Sequence, residues 1–209
     1  MKFINKYSCI LLMATNISYA NVCNDLYEKN KVRWDKNQNL QLCYNALKGD
    51  PDAQFDLAGW YKLEENDANE ALNWALKSAE QGCAKSQFVT GLLYYDINGP
   101  EPNWFKAFEW IEKSANNGLP HAQAMLGFMY QHGQAVAQNK IKAKQLYEAA
   151  IEQQNEDGYN YLGKMYESGD GIPIDKQKAQ LLFAQEKIAR VLTIINNNNY
   201  PCQQNEISH

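Results

Sequence analysis

Three histidines are the side chains of this sequence that could act as bases near neutral pH, and they stand at His121, His132 and His209. A general base works only within hydrogen-bond reach of the proton it removes. His121 comes just before a stretch with helical spacing, and His132 comes in the turn after it, which favours solvated or helix-capping roles. No serine is followed by lysine three positions later, the spacing of the Ser-x-x-Lys nucleophile. The sequence therefore predicts no catalytic site and no enzyme.

A Gly-Asp-Gly segment at 169–171 has the composition of a metal or phosphate loop. It lacks the series of oxygen ligands that a calcium loop needs, and it lacks the lysine of a phosphate-binding loop. We interpret it as a turn, and we expect neither a metal nor a cofactor.

Cysteine offers the remaining chemistry. Cys9 lies in a segment that we expect to be removed, which leaves Cys23, Cys43, Cys83 and Cys202 at successive separations of 20, 40 and 119 residues. Those separations do not resemble the short paired intervals of a zinc site. An even number of cysteines in an exported chain predicts disulfides, and four cysteines allow three connectivities.

Two pairings are favoured among these. Twenty residues are enough for two antiparallel helices joined by a short turn, so we expect Cys23 and Cys43 to bridge an N-terminal hairpin. Cys83 would then pair with Cys202 if the C-terminal tail folds back, although a regular helical array separates these positions by about two repeats.

The first twenty residues have the features of a secretory signal peptide. Lys2 and Lys6 precede a short apolar centre at 10–13, and a small-x-small site predicts cleavage after Ala20. A membrane anchor is disfavoured, because a spanning helix needs about 20 apolar residues and this stretch is interrupted by polar ones. Cleavage changes the formal net charge from −4 to −6, because two lysines leave. We expect a periplasmic or secreted protein with no membrane insertion and no affinity for nucleic acid.

The rest of the chain is built from two recurring frames. A nine-residue frame of small, apolar and aromatic residues ends in tyrosine at Tyr61, Tyr94, Tyr130 and Tyr166, at intervals of 33, 36 and 36 residues. Such intervals are typical of helix pairs that stack into a solenoid. A second frame, at 70–82, 106–118, 142–154 and 178–190, has small and large apolar residues three apart, on one helical face. Repeated glycines in the first frame (Gly91, Gly127 and Gly163) predict close approach of the second helix.

The fourth unit resembles the Sel1-like repeat most clearly. Its matching residues, in order, are Leu162, Gly163, Tyr166, Gly169, Gly171, Ile172, Asp175, Lys178 and Ala179. The resemblance covers about 50–190, and the turns of the first two units depart from the pattern. It implies an all-α, right-handed α/α solenoid of four helix pairs, related to tetratricopeptide repeats. The expected organisation is a signal peptide (1–20), N-terminal capping helices (21–49), four repeats (50–82, 83–118, 119–154 and 155–190) ending with the last helix at 195, and a polar tail (196–209).

The resemblance also implies a function in protein–protein interaction, with a polypeptide held on the concave face of the solenoid. For an exported member, it implies either a general envelope adaptor or an immunity protein that neutralises a phospholipase-type toxin delivered by type VI secretion. The alternative is a cell-envelope hydrolase or a β-lactam-binding enzyme, as some cysteine-rich relatives are linked with β-lactams. We expect a monomer.

A candidate binding surface follows from positions four and seven of the first frame and from the second residue after its tyrosine, which is position eleven. These positions lie opposite the core stripe formed by positions one, five and eight. Only the two central units carry an apolar pair there. We expect contacts with a protein ligand from Val89, Leu92, Met125, Phe128 and Tyr161, with rim charge from Asp56 and Asp96. The alternative is that Val89, Leu92, Met125 and Phe128 pack against neighbouring helices.

Overall fold

The structure of the protein is a computed structural model, and it describes Cys23, residues 36–64 and 66–196, and Cys202. The predicted signal peptide with its cleavage site after Ala20, most of the expected N-terminal hairpin and nearly all of the polar tail lie outside these residues. The described part of the chain contains α-helices and no β-strand, which confirms the all-α repeat fold expected from the sequence. Within the same ranges, no helix has the length and apolar character needed to cross a membrane.

Helix α1 (Lys36–Leu47) precedes four helix pairs. The first helices of the pairs are α2 (Pro51–Leu63), α4 (Ala84–Tyr95), α6 (Pro120–His132) and α8 (Glu156–Ser168). The second helices are α3 (Ala68–Glu80), α5 (Trp104–Asn116), α7 (Lys140–Glu152) and α9 (Lys176–Asn196). Each helix packs against the next one along the chain, and α6 also contacts α8. The contacts are those of a stacked array, in which each unit is supported by its neighbours.

Polar residues set the starts of most helices. Asp50, Asp67, Asn103 and Asn139 each stand directly before a helix and accept a hydrogen bond from a backbone N–H of its first turn. This arrangement satisfies donors that would otherwise have no partner at a helix start. Cys83 and Leu119, which precede α4 and α6, make no such side-chain hydrogen bond.

The turns within the pairs differ as the sequence predicts. After α6 the chain turns through Gly133, whose φ of 68° is left-handed and suits glycine. Helix α8 ends the same way at Gly169. The residue that follows α4, Asp96, instead has an extended backbone conformation, and the residue that follows α2, Glu64, has a helical one. The first two units therefore lack the glycine turn that the last two share.

The core consists of two apolar clusters along the array. The N-terminal cluster includes Leu57, Trp74 and Leu93. The C-terminal cluster includes Met129, Tyr147 and Met165, which are fully buried. Trp110 is the large apolar residue of the second frame at 106–118, which predicts a buried core position, but it is only half-buried at the edge of the first cluster. One face of its ring is covered by the ammonium of Lys113, 4.0 Å from the ring centroid.

Two disulfides tie the ends of the chain to the array. The structure joins Cys23 to Cys43 and Cys83 to Cys202, the pairs that the sequence analysis favours. The Cys202 N–H also donates to Asp52 Oδ1 at 2.9 Å, which places it beside the start of α2. Helix α9 has 21 residues where the other second helices have 13.

Candidate protein-binding surface

The first helices of the pairs turn positions four and seven of the repeat away from the core. In the central units these positions hold Val89 and Leu92 on α4 and Met125 and Phe128 on α6. Leu92 is 38% exposed, and the other three side chains are half-buried. The surface therefore combines both alternatives raised by the sequence, because Val89 and Met125 pack against the core clusters whereas Leu92 and Phe128 belong to neither cluster.

The central apolar side chains are held by different parts of the core. Val89 packs against the N-terminal cluster, whereas Met125 packs against the C-terminal cluster. Their positions are fixed by this packing rather than by contact with a ligand. Such preorganised apolar groups lose little conformational freedom when a partner binds.

Phe128 is the centre of an aromatic group that the sequence analysis assigns only in part. Its ring lies 5.5 Å from that of Tyr161 and 4.2 Å from that of His132, measured between centroids. Tyr161 in turn lies 5.4 Å from Tyr147. Helices α6, α7 and α8 therefore meet through one aromatic contact chain, in which Tyr147 is fully buried and the other three rings are at least partly exposed. His132 is exposed and was not included in the predicted surface.

The aromatic group is connected to a polar network through the hydroxyl of Tyr147. The Tyr147 hydroxyl donates to Gln131 Oε1 at 2.6 Å, and Gln131 Nε2 donates to Asp170 Oδ2 at 2.7 Å. Lys140 Nζ lies 2.5 Å from the other Asp170 oxygen. This network fixes the turn after α8 to the third unit. Asp170, interpreted from the sequence as part of a simple turn, is thus a connection between repeats.

The pKa values of the ionisable groups here are shifted in different directions. Burial raises the pKa of the Tyr147 hydroxyl far above its usual range, with smaller contributions from Tyr161 and Asp170. Burial also raises the pKa of Tyr161, which therefore remains a neutral donor and acceptor at physiological pH. The hydrogen bond from Lys140 lowers the pKa of Asp170, with a further contribution from Gln131. The surface thus presents neutral aromatic groups beside a fixed carboxylate.

The two predicted rim acids have different surroundings. Asp56 is exposed on α2, and its pKa is raised by partial burial and by the neighbouring charge of Asp52, although Lys85 opposes this. Asp96 is half-buried at the end of α4 and accepts a hydrogen bond from the Asn98 N–H at 3.0 Å. Asp56 is available to a partner, whereas Asp96 is already part of a turn.

His121 and His132 are the histidines in the described part of the chain, and each contacts a residue of the first helices. His132 Nδ1 lies 3.0 Å from the Phe128 carbonyl oxygen of its own helix. The His121 ring lies 6.4 Å from the Phe88 ring, between centroids. In the described part of the chain, no three His, Cys, Asp or Glu side chains form a group that could hold a metal ion. The local geometry is that of an aromatic contact surface.

Comparison with known proteins identifies the repeat. The model of the Sel1 repeat matches residues 51–83, 84–119, 120–155 and 157–185. Together these segments cover more than half of the chain, and their boundaries agree with the helix pairs α2–α3, α4–α5, α6–α7 and α8–α9.

Solved structures show the same architecture. A Sel1 repeat protein from Oxalobacter formigenes is 37% identical, with a TM-score of 0.55 over 60% of this chain and 96% of that one. The protein c5321, a protective antigen of uropathogenic Escherichia coli, is 27% identical, with a TM-score of 0.65 over 88% of this chain and 42% of that one. A Sel1 repeat protein from Klebsiella pneumoniae is 27% identical, with a TM-score of 0.58 over 71% and 73%.

A curated relative is the chitin synthase regulator SKT5 of Saccharomyces cerevisiae. It is 34% identical over 96 residues, which are 42% of this chain and 14% of the yeast protein. The chain therefore spans only a small part of that relative.

Proposed function

The chain belongs to the Sel1 repeat family, whose members are scaffolds for protein–protein interaction, and we propose that it is an exported scaffold that holds a polypeptide against its first helices. The observation that carries this proposal is the accessible aromatic and aliphatic surface on α4, α6 and α8, centred on Phe128 and Tyr161. Rigid aromatic side chains that are already in position are the most frequent anchors of protein interfaces.

The extended form of this surface favours a polypeptide partner over a small molecule. The surface repeats along the array with Leu92, Phe128 and Tyr161 on successive first helices. Curved helical arrays use such extended surfaces to bind chains of amino acids. Exposed Asp56 lies on the neighbouring first helix and would favour a partner with basic residues at that end.

Export is the second part of the proposal. The features at 1–20 are those of a cleavable signal peptide, with cleavage after Ala20, and both disulfides are suited to an oxidising compartment. We infer a periplasmic location in a Gram-negative bacterium. Cell fractionation and N-terminal sequencing of the exported protein test this, and a mature protein that begins with Met1 in the cytoplasm would contradict it.

The proposed biological role is that of an immunity protein. On this hypothesis the protein binds a type VI secreted, phospholipase-type toxin and blocks its action in the periplasm. The competing role is that of a general envelope adaptor. Coexpression of the protein with the candidate toxin encoded beside its gene tests the hypothesis. Rescue of growth together with a stable complex of the two purified proteins supports immunity. A complex with envelope proteins but no rescue supports the adaptor.

A hydrolase or β-lactam-binding enzyme is the alternative of a different class. The histidine geometry described above gives it no support. Incubation of the purified protein with a chromogenic β-lactam tests it directly, and sustained turnover would replace the scaffold proposal.

A further inference from the structure

The Cys83–Cys202 disulfide connects parts of the array that are two units apart. Cys83 stands directly before α4 in the second unit, and Cys202 follows α9, the last helix of the fourth unit. The helix contacts described above join helices of the same unit or of neighbouring units. In such an array, the position of one unit relative to a distant one depends on every joint between them. The disulfide adds a covalent restraint across two of these joints.

The sequence places Cys83 at a position that caps a helix in two other units. The equivalent residues before α2 and α8 are Asp50 and Asn155, and the side chain of each accepts a hydrogen bond from a backbone N–H of the helix that follows. Cys83 makes no such bond to α4, and it is fully buried in the disulfide. The start of α4 is therefore held by a covalent bond to the end of the chain rather than by a side-chain cap.

Both ends of this link lie at the starts of first helices. At one end, the Cys202 N–H donates to Asp52 Oδ1 at 2.9 Å, in the first turn of α2. Asp52 is four residues before Asp56, so it lies on the helix face that carries the proposed binding surface. At the other end, the Thr193 hydroxyl of α9 donates to Glu156 Oε2 at 3.2 Å, at the start of α8. The restraint therefore acts on the helices that carry the proposed surface.

The link is short relative to the distance that it spans. Five residues lie between Asn196 and Cys202, so the Cα atoms of these two residues can be at most about 22 Å apart. Helix α4 contacts α6 through Phe88 and His121, whose ring centroids are 6.4 Å apart, and α6 packs against α8. Helices in contact have axes about 8–10 Å apart, and two such spacings amount to about 16–20 Å. The link therefore leaves little room for α4 and α8 to move apart.

The spacing of the first helices matters for binding because the proposed surface is divided among them. Leu92, Phe128 and Tyr161 lie on α4, α6 and α8, so one polypeptide contacts all three only when the helices are at a matching distance. A surface that already has this spacing loses less conformational freedom when its partner binds.

We propose that the Cys83–Cys202 disulfide is a clamp that holds α4, α6 and α8 at the spacing at which they bind a polypeptide. The effect on affinity rests on the proposed function. The effect on helix spacing does not, because it follows from the covalent link alone.

The helix spacing is measured without a partner. Spin labels are attached through noncanonical amino acids at Lys85 on α4 and Lys164 on α8, so that every native cysteine is kept. Pulsed electron paramagnetic resonance of the exported, disulfide-bonded chain should give one narrow distance distribution. The double substitution Cys83→Ala and Cys202→Ala should broaden it towards longer distances, at a temperature where circular dichroism shows full helical content. An unchanged distribution would overturn the clamp.

A second variant separates the clamp from the stability that a disulfide provides. It keeps both disulfides and inserts about six glycine and serine residues after Asn199, which lengthens the link by about 20 Å. The distribution should broaden here as well, and a narrow one would contradict the role of the link length. The double substitution Cys23→Ala and Cys43→Ala is the matched control, because that disulfide lies before α2 and should leave the distribution unchanged. Equal broadening in this control would also overturn the proposal.

The effect on affinity is measured with the purified candidate toxin encoded beside the gene. Isothermal titration calorimetry should give a dissociation constant at least about fivefold higher for the lengthened variant, because only a fraction of its molecules has the required spacing. The Cys23→Ala and Cys43→Ala control should bind as the wild type does. Equal affinity of the lengthened variant and the wild type would show that the clamp does not serve binding. A wild-type chain that does not bind the toxin would contradict the proposed immunity role, whereas the clamp itself is decided by the distance measurements.

Discussion

Gly127 lies directly against the ring of Tyr147, and a Cβ atom at Gly127 would be only 2.6 Å from Tyr147 Cε1. The same contact recurs between Gly91 and Ile111, where a Cβ would be 2.6 Å from the Ile111 Cγ1 atom. In the first unit the position of the glycine is Ala58 and its facing residue is Ala75, and both are buried. The glycine is therefore found where the facing side chain is large, and alanine takes its place where the facing residue is small.

This relationship predicts that Gly127→Ala destabilises the protein. Alanine is the better helix former by about 1 kcal/mol, but the added methyl group meets a buried ring that also holds Gln131 by a hydrogen bond. We expect a net loss of about 1–3 kcal/mol in the free energy of unfolding, as is usual for overpacked cores. Gly59→Ala is the control, because nothing lies within 4 Å of a Cβ there, and it should be neutral or stabilising. Urea denaturation of both variants gives the comparison.

Trp74 and Trp110 hold equivalent positions in the first two second helices, and they should differ in their contribution to stability. Trp74 is 6% exposed within the N-terminal cluster, whereas Trp110 is half-buried at its edge. We expect Trp74→Ala to cost about 3–5 kcal/mol, as deletions of buried aromatic side chains do. Trp110→Ala should cost less, because part of its ring is already in contact with water. Equal losses in urea denaturation would place Trp110 in the core after all.

The two disulfides should be recovered by peptide mapping without reduction. Cys23–Cys43 and Cys83–Cys202 peptides are expected, and a Cys43–Cys83 peptide would contradict both assignments. The Cys83–Cys202 bond closes a segment of 119 residues. Its removal by the double substitution Cys83→Ala and Cys202→Ala should cost about 2–5 kcal/mol, because long closed loops restrict the unfolded chain most. The shorter Cys23–Cys43 loop should contribute less when it is removed in the same way.

The sequence predicts the array because its information is local and repeated. Tyr130 and Tyr166 hold equivalent positions near the ends of two first helices, and the recurrence of glycine at Gly127 predicts a close contact with the second helix. The Cys83–Cys202 pair was favoured from the sequence only on the condition that the tail folds back. The period of the repeat contains no information about the chain that follows its last helix.

The binding surface was predictable only in outline. Position four of the repeat identifies Met125 as facing away from the core stripe of its own helix. Its half-burial comes from other helices, and periodicity within one helix contains no information about them. The link from Gln131 to Asp170 was missed for the same reason, since it joins residues 39 positions apart that belong to different units.

The charge of Asp170 should contribute to stability in a pH-dependent way. Its folded-state pKa is lowered by the hydrogen bond from Lys140 and by Gln131, so the contribution is present above the unfolded pKa, near 3.8. It is lost as pH falls through the lower folded pKa. The pair is about one-third exposed, so we expect no more than about 1 kcal/mol at neutral pH. Thermal unfolding of Asp170→Asn should approach the wild-type curve at low pH. A difference that persists there would show that the lost hydrogen bonds, rather than the charge, explain the effect.

The role of Phe128 in binding is the prediction closest to function. Its ring is in contact with Tyr161 and His132 on an accessible surface, so Phe128→Ala removes apolar contact area and loosens the aromatic group. If Phe128 is a hot spot, affinity for the purified partner should fall by at least about 2 kcal/mol, measured by isothermal titration calorimetry. Phe105→Ala is the matched control, because Phe105 is exposed on α5 and outside the proposed surface. Half-burial of Phe128 implies some loss of stability as well, so binding must be measured where both variants are folded. Normal affinity of a folded Phe128→Ala protein would assign the residue to packing and remove the centre of the proposed surface.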